Sequence, residues 1–206
     1  MNIACRFRIY PTEEQKILLG KTFGCCRFLY NQMLDDKIRE YEKTKKMLKN
    51  TPAMYKREYP FLKEVDSLAL ANVQLHLEKA YKNFFRDPKI GFPRFKSKHH
   101  SKNSYTTNVV NGNILVESKR IRLPKLKWIA MKKHREPAEG LRLKSVTVSM
   151  EPSGKYFASL LYEGYSCENQ AAEPDYSTAK ILGIDYAMQG MAVFSEKVEY
   201  LAHFLG

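Results

Sequence analysis

The 206-residue sequence lacks several features that would assign it to a familiar class at once. No apolar run approaches the roughly 18 residues that cross a bilayer, and residues 1–10 alternate apolar and basic side chains instead of forming a signal peptide. The four cysteines, at positions 5, 25, 26 and 167, contain no Cys-x-x-Cys pair, and His99 and His100 do not complete a four-ligand set. We therefore expect a cytosolic protein with core thiols and no zinc site or membrane partner.

Negative charge is scarce in one part of the chain. The sequence has 35 Lys and Arg against 22 Asp and Glu, a net charge of +13. Residues 86–135 hold fourteen basic and two acidic residues, whereas residues 151–206 have a net charge of −5. A solubilising surface usually mixes both signs, so a block of one sign favours a polyanionic partner. We expect a continuous track for a nucleic-acid backbone, with acidic membranes or proteins as minor alternatives.

Hydrophobic periodicity predicts a strand and then helices in the first hundred residues. Residues 3–9 alternate apolar with small or basic side chains, which is typical of a half-buried strand with a basic outer face. Thr12 and Gln15 have the spacing of a capping box at the start of a helix. Gly24 leaves two alternatives, one unbroken helix or two helices with a turn. Asp66 or Ser67 can cap a later helix.

From residue 104 onward, the pattern changes to short strands. Asn111-Gly112 is the favoured type I′ hairpin turn, and residues 152–155 predict a turn between two alternating segments. Several short antiparallel strands at this spacing predict a small β-barrel. Residues 166–178 are polar and predict a linker, which leads to a strand ending at Asp185 and a hairpin.

A loop at residues 91–98 interleaves aromatic and basic side chains. Exposed rings can stack on bases at about 1–3 kcal/mol each, although both phenylalanines could instead lie in the core. The charge on both sides of the loop favours direct contact with nucleic acid. The residues expected to make this contact are Arg86, Phe92, Arg94, Phe95, Lys96, Lys98, Lys102, Lys119, Arg120, Arg122, Lys125, Lys127, Lys132, Lys133 and Arg135.

Asp185 lies in Gly-Ile-Asp-Tyr-Ala, directly after an apolar segment. A strand can present a carboxylate to Mg²⁺ from such a position. On the residues alone, an aspartate at a strand end is more often a turn residue, and a single carboxylate binds Mg²⁺ weakly.

Several ordered blocks of the sequence resemble the TnpB (OrfB) family of insertion-sequence proteins, which are RNA-guided DNA endonucleases related to type V CRISPR effectors. The blocks are residues 10–15, 22–31, 62–67, 80–85, 91–98, 153–156 and 183–185. The resemblance implies guide RNA and DNA as partners, and it matches Asp185 to the first metal-binding aspartate of a RuvC nuclease site.

The resemblance also implies an α+β fold with several parts. Residues 1–11 and 104–165 would form a wedge-like β-barrel, and residues 12–103 an inserted helical recognition lobe that starts with a helix-turn-helix. Residues 166–178 would be a linker, and residues 179–206 the first segment of an incomplete RNase H-like (RuvC) domain.

Departures from the family pattern bear on catalysis. The chain ends 21 residues after Asp185, before the glutamate and second aspartate of the pattern, and Ala187 replaces a common glycine. We therefore expect a protein that binds guide RNA and DNA without cleaving alone, with Mg²⁺ bound only if another polypeptide completes the site. The alternatives are one part of a split nuclease completed by a downstream polypeptide, and a nuclease-dead repressor.

Overall fold

The structure, a computed structural model, describes residues 2–99, 101–137 and 139–164, together with the backbone of residues 184–185 and 193–194. The chain divides into two compact units, Met1–Ser166 and Cys167–Gly206. None of the described helices is both long and apolar enough to cross a bilayer. The elements of the first unit are, in chain order, β1 (Asn2–Tyr10), α1 (Glu13–Thr44), α2 (Pro52–Glu58), α3 (Ser67–Arg86), β2 (Asn103–Asn108), β3 (Leu115–Val116), β4 (Arg120–Leu123), β5 (Lys127–Lys132), β6 (Arg142–Met150) and β7 (Tyr156–Glu163).

The predicted capping box starts α1. The Gln15 backbone N–H donates to Thr12 Oγ1 at 3.4 Å, and the Thr12 N–H donates to Gln15 Oε1 at 3.0 Å. The helix then runs without a break through Gly24 to Thr44, so the one-helix alternative is the correct one. Glycine costs a helix about 1 kcal/mol relative to alanine, and burial of the adjacent Phe23 and Cys25 compensates for that cost.

Each of the two long helices packs through one apolar stripe. The buried residues of these stripes are Leu19, Phe23, Cys26, Tyr30 and Leu34 on α1, and Leu70, Val73, Leu77 and Tyr81 on α3. Asp66 caps α3 by accepting from the Leu68 N–H at 3.0 Å, and its other oxygen accepts from the Thr107 hydroxyl at 2.5 Å. That second bond ties the start of α3 to β2.

Three of the four cysteines lie in the core, as expected of structural thiols. Cys5, Cys25 and Cys26 are buried and free. Burial raises the pKa of Cys26 to about 12, so its thiol stays protonated and unreactive at neutral pH. Cys167 lies outside the described residues.

The strands form one antiparallel sheet in the order β2-β6-β7-β1-β5-β4-β3. Alternate side chains of each long strand face the core, including Cys5, Phe7 and Ile9 of β1. The α+β class is therefore confirmed, but the sheet is not a closed barrel. Its edge strands are β2 and β3, and among the described residues no pairing joins them.

The sheet nevertheless has to curve. Six residues, 109–114, connect β2 to β3, and a link of that length reaches about 25 Å at full extension. A flat sheet of seven strands would put its edges about 29 Å apart. The α1 helix contacts the sheet at two places: Gln15 Nε2 donates to the carbonyls of Leu126 and Trp128 at 2.9 and 2.8 Å, and the Phe23 ring meets the Tyr105 ring of β2 at 6.0 Å.

The Asn-Gly turn has the predicted backbone but a different role. Asn111 and Gly112 have φ values of 49° and 69°, as a type I′ turn requires, and the Asn113 N–H donates to the Val110 carbonyl at 3.1 Å. The flanking strands do not pair with each other, because β2 pairs with β6 and β3 pairs with β4. By contrast, the predicted turn at residues 152–155 does join the paired strands β6 and β7.

In the second unit, β8 (Ile184–Asp185) and β9 (Val193–Phe194) pair antiparallel, with Ile184 opposite Phe194. This pairing agrees with the predicted hairpin. The expected linker at 166–178 and the rest of residues 179–206 lie outside the described residues, so the RuvC-like segment stays a prediction.

Candidate nucleic-acid interface

The fifteen predicted contact residues lie in two parts of the fold, and the continuous track stays a prediction. Seven lie between the end of α3 and the start of β2: Arg86, Phe92, Arg94, Phe95, Lys96, Lys98 and Lys102. Eight lie on β4, β5 and the segments beside them: Lys119, Arg120, Arg122, Lys125, Lys127, Lys132, Lys133 and Arg135. In the strand order of the sheet, β6, β7 and β1 lie between β2 and β5.

The aromatic-basic loop is fastened to α1. The Asn31 side chain accepts from the Lys96 N–H at 2.7 Å and donates to the Lys96 carbonyl at 2.8 Å. Phe92 meets the rings of Tyr81 and Phe84 edge-on at 5.5 and 5.4 Å, yet it is 46% exposed. Phe95 is 55% exposed and has no ring contact among the described residues. Neither phenylalanine is a core residue, so both rings remain accessible for stacking.

A helix-side cleft lies beside this loop. It is a cavity of about 320 Å³ bounded by α1, α3, β2 and the segment 96–102, and its basic lining residues are Arg27, His76, Lys96 and Lys102. No aspartate or glutamate is among its described lining residues. Two of the four basic groups, Arg27 and His76, were not predicted as contacts.

Two basic groups of the helix-side cleft, Lys96 and His76, have lowered pKa values. The Lys96 ammonium sits 4.1 Å from the centre of the Tyr30 ring, and burial lowers the pKa of Lys96. Loss of solvent lowers the pKa of His76 as well, and the positive charges of Lys96 and Lys79 lower it further. An anion entering the cleft would relieve both effects.

A second surface, the outer sheet face, combines basic and aromatic side chains from four strands. It consists of the outward-facing residues Arg6, Arg8, Tyr10, Arg120, Arg122, Trp128, Lys132 and Phe157. The register makes them neighbours: Arg8 lies opposite both Lys132 and Phe157, and Arg122 lies opposite Trp128.

Guanidinium groups stack on rings across this face. The Arg6 carbon Cζ lies 3.9 Å from the centre of the Phe157 ring, and Arg120 Cζ lies 4.4 Å from that of Trp128. Arg8 Cζ lies 5.0 Å from the centre of the Tyr10 ring. These distances are within the range of cation–π contacts, which hold the long side chains in place and limit the entropy lost when a ligand binds.

Carboxylates already neutralise part of the outer sheet face. Arg6 pairs with Glu151 at 2.5 Å and Arg120 with Glu117 at 2.6 Å. Just beyond β5, Lys133 pairs with Glu136. Exposed ion pairs of this kind contribute little to stability, so a phosphate can replace the carboxylate at small cost.

Sequence reasoning missed five members of the outer sheet face: Arg6, Arg8, Tyr10, Trp128 and Phe157. The alternation in residues 3–9 had indicated a basic outer face on β1, but that strand lies far from the charged stretch in the sequence. Only the strand pairing shows that β1 is the neighbour of β5 and β7.

The structure gives no support for a metal site within the described residues. In residues 2–99, 101–137 and 139–164, no group of three or more His, Cys, Asp and Glu side chains could hold a metal ion. Only the backbone of Asp185 is described, on β8, so its assignment as a metal ligand stays a prediction.

Comparison with known proteins supplies the family. Residues 1–46 match a family model for OrfB of IS605-type elements, described as a helix-turn-helix domain; in this structure they form β1 and the single helix α1. A "putative RNA-guided DNA endonuclease" of Streptomyces pristinaespiralis is 31% identical over 214 residues, which cover 97% of this chain and 50% of the relative. The chain belongs to the TnpB (OrfB) family.

Two further relatives show how much of each relative this chain covers. The "putative RNA-guided DNA endonuclease InsQ" of Escherichia coli (strain K12) is 29% identical, over 94% of this chain and 47% of the relative. The "virulence protein VsdF" of Salmonella dublin is 37% identical, over 47% of this chain and 93% of the relative. The chain thus spans about half the length of the two endonuclease-named relatives.

Proposed function

We propose that this TnpB-family chain binds guide RNA and DNA, and that its first unit makes the main contacts through phosphate neutralisation aided by base stacking. The observation that carries the proposal is the outer sheet face, where three arginines stack on Phe157, Tyr10 and Trp128. Interleaved cations and rings on an exposed sheet are typical of surfaces that bind single-stranded nucleic acid.

The binding chemistry follows from the two kinds of side chain. Arginine forms two parallel hydrogen bonds to a phosphate, as it does to a carboxylate, so a backbone phosphate can replace Glu117 on Arg120. The aromatic ring beneath each guanidinium holds that guanidinium in the same orientation during this exchange. Bases adjacent to the bound phosphates can then stack on accessible ring faces.

The single tryptophan of the chain provides a direct test. Trp128 lies on the outer sheet face, so its fluorescence reports on that surface alone. Titration with single-stranded RNA should quench this fluorescence at low salt, and the quenching should reverse as salt is added. If about six phosphates are engaged, the slope of log K against log salt is about −4 to −5. Unchanged fluorescence while RNA binds would place the RNA elsewhere, and a slope near zero would refute the electrostatic basis of binding.

The proposal is limited to binding. Mg²⁺-dependent phosphodiester cleavage needs several oxygen ligands, and Asp185 is the one residue matched to such a ligand. We expect the purified chain with guide RNA and Mg²⁺ to bind target DNA without cutting it. Cleavage that is lost in Asp185→Ala would instead favour a nuclease, complete or completed by a second polypeptide.

A further inference from the structure

The helix-side cleft contains positive charge that nothing in its surroundings neutralises. Within the described part of the chain, the side chains of Arg27, His76 and Lys102 make no hydrogen bond or ion pair, and the Lys96 ammonium contacts only the Tyr30 ring. A cation that has lost part of its hydration is unfavourable unless an anion or acceptor replaces the lost water.

Asp66, the N-cap of α3, does not line the cleft, and its oxygens have other partners. Asp66 accepts from the Leu68 N–H and from the Thr107 hydroxyl, so both of its oxygens have a donor. A bound anion would supply the negative charge that the lining residues of the cleft lack.

The rest of the lining fits a phosphate attached to a sugar and base. The hydroxyls of Ser101 and Ser104 can donate to phosphate oxygens, while Phe23, Val73 and Tyr105 form an apolar wall. A volume of about 320 Å³ is at the lower end of the range for small-molecule sites, about 300–1,000 Å³. The cleft therefore has room for a single nucleotide but not for a duplex.

We propose that the helix-side cleft binds one nucleotide of a nucleic-acid strand through its phosphate, with Arg27, Lys96 and Lys102 supplying the neutralising charge. Asn31 is the positioning residue, because it holds both backbone groups of Lys96. The inference rests on the proposed function for the source of the phosphate, since a free phosphate ion has the same anionic chemistry.

His76 allows a direct measurement of phosphate binding in the cleft. The His76 imidazole signals of the full chain are followed by NMR across pH and assigned with His76→Gln, first alone and then with inorganic phosphate, a nucleoside 5′-monophosphate or a single-stranded oligouridine RNA. A bound phosphate should raise the His76 pKa, because the negative charge favours the imidazolium form. Arg27→Gln and Lys96→Gln should each weaken binding of the monophosphate about tenfold.

A matched control separates a local site from a general loss of charge. Lys43→Gln removes the same charge from an exposed position on α1, away from the cleft lining, and should leave the His76 response unchanged. Thermal unfolding of every variant checks that the fold persists. If Lys43→Gln removes the response as fully as Arg27→Gln does, the cleft is not the site.

The three ligands distinguish the remaining outcomes. A His76 response to the monophosphate and to the RNA, lost in the cleft variants, supports the proposal. A response to inorganic phosphate alone overturns it in favour of a free-ion site. If no ligand changes the His76 signals while Trp128 fluorescence still reports RNA binding, the proposal for the cleft is wrong and the proposed function stands. Absence of RNA binding by both measurements overturns both.

Discussion

The two cationic surfaces differ in what already neutralises them. On the outer sheet face, Arg6 and Arg120 each have a glutamate partner as well as an aromatic ring beneath them. In the helix-side cleft, Lys96 has only the Tyr30 ring and no carboxylate lines the described walls. The comparison shows that the number of lysines and arginines in a segment does not measure how much positive charge is available to a ligand.

This difference has an energetic consequence. A phosphate that binds Arg6 or Arg120 of the outer sheet face has to displace a carboxylate, so the net gain at each of these two arginines is small. A phosphate that enters the cleft displaces water only, and it relieves the desolvation that lowers the Lys96 pKa. Each cation of the cleft should therefore contribute more to affinity than each paired arginine of the sheet face.

The largest effect on RNA binding should come from replacing the cations of the cleft. The triple variant Arg27→Gln, Lys96→Gln, Lys102→Gln removes the neutralisation of the one phosphate bound in the cleft, which should reduce the magnitude of the log–log salt slope by about 1 and weaken RNA binding at least a hundredfold at low salt. Fluorescence anisotropy of labelled RNA at several salt concentrations measures both quantities.

The control for that variant keeps the loss of net charge the same. Lys43→Gln, Lys46→Gln, Lys49→Gln removes three exposed lysines at and beyond the end of α1, outside both surfaces. If this control lowers the slope as much as the cleft variant does, affinity depends on overall charge and the comparison between the surfaces fails.

The next largest effect on RNA binding is expected from substitution of Trp128. Trp128→Ala removes the stacking surface beneath Arg120 and should weaken binding of single-stranded RNA about tenfold, since one stacked base contributes about 1–3 kcal/mol. Trp128→Phe retains an aromatic ring and should recover most of the affinity. Equal losses in the two variants would show that tryptophan acts through packing and not through stacking.

Removing the carboxylates of the sheet face should have a smaller effect of opposite sign. Glu117→Gln with Glu151→Gln frees Arg120 and Arg6, so RNA binding should strengthen about threefold at low salt. The control pair Glu14→Gln, Glu42→Gln removes two exposed carboxylates of α1 outside the outer sheet face. A gain of the same size in the control would indicate only a change in net charge.

The smallest effect on RNA binding is expected from substitution of Asp185. This residue belongs to the second unit, and a lone carboxylate does not bind phosphate without a metal ion. Asp185→Ala should therefore leave RNA affinity in EDTA within about twofold of the unchanged chain. A loss of RNA binding would show that the second unit contributes directly to the interface.

Local features of the fold could be predicted because they depend on neighbouring residues. The capping box of Thr12 and Gln15, the buried stripes of α1 and α3 and the type I′ backbone at Asn111 all follow from spacing and from intrinsic conformational preference. The same kind of information could not show that β2 pairs with β6, because strand partners are chosen by burial of residues far apart in the chain.

Prediction of the candidate site from the sequence has the same limit, because the sequence does not show which distant segments become neighbours. The basic stretch at residues 86–135 correctly marked the loop and the β4–β5 region as rich in cations, and the family resemblance is confirmed. The stretch did not show which of its cations lie on the outer sheet face and which line the helix-side cleft, or that Arg27, His76 and Arg8 join them. Arg27 and His76 lie in segments of ordinary composition, and the alternation in residues 3–9 indicated a basic face on β1 without showing which strands it adjoins.

The amino-acid sequence by itself determined the helices, most strands, the charge and the family, since each depends on short-range spacing or on residue content. The tertiary structure alone decided which cations share a surface, which of them already have a carboxylate partner and which are left in a partly dry cleft. The physical reason is that electrostatic interactions depend on distance and solvent in three dimensions, and residues adjacent on a folded surface can be more than a hundred positions apart in the chain, as Arg8 and Lys132 are.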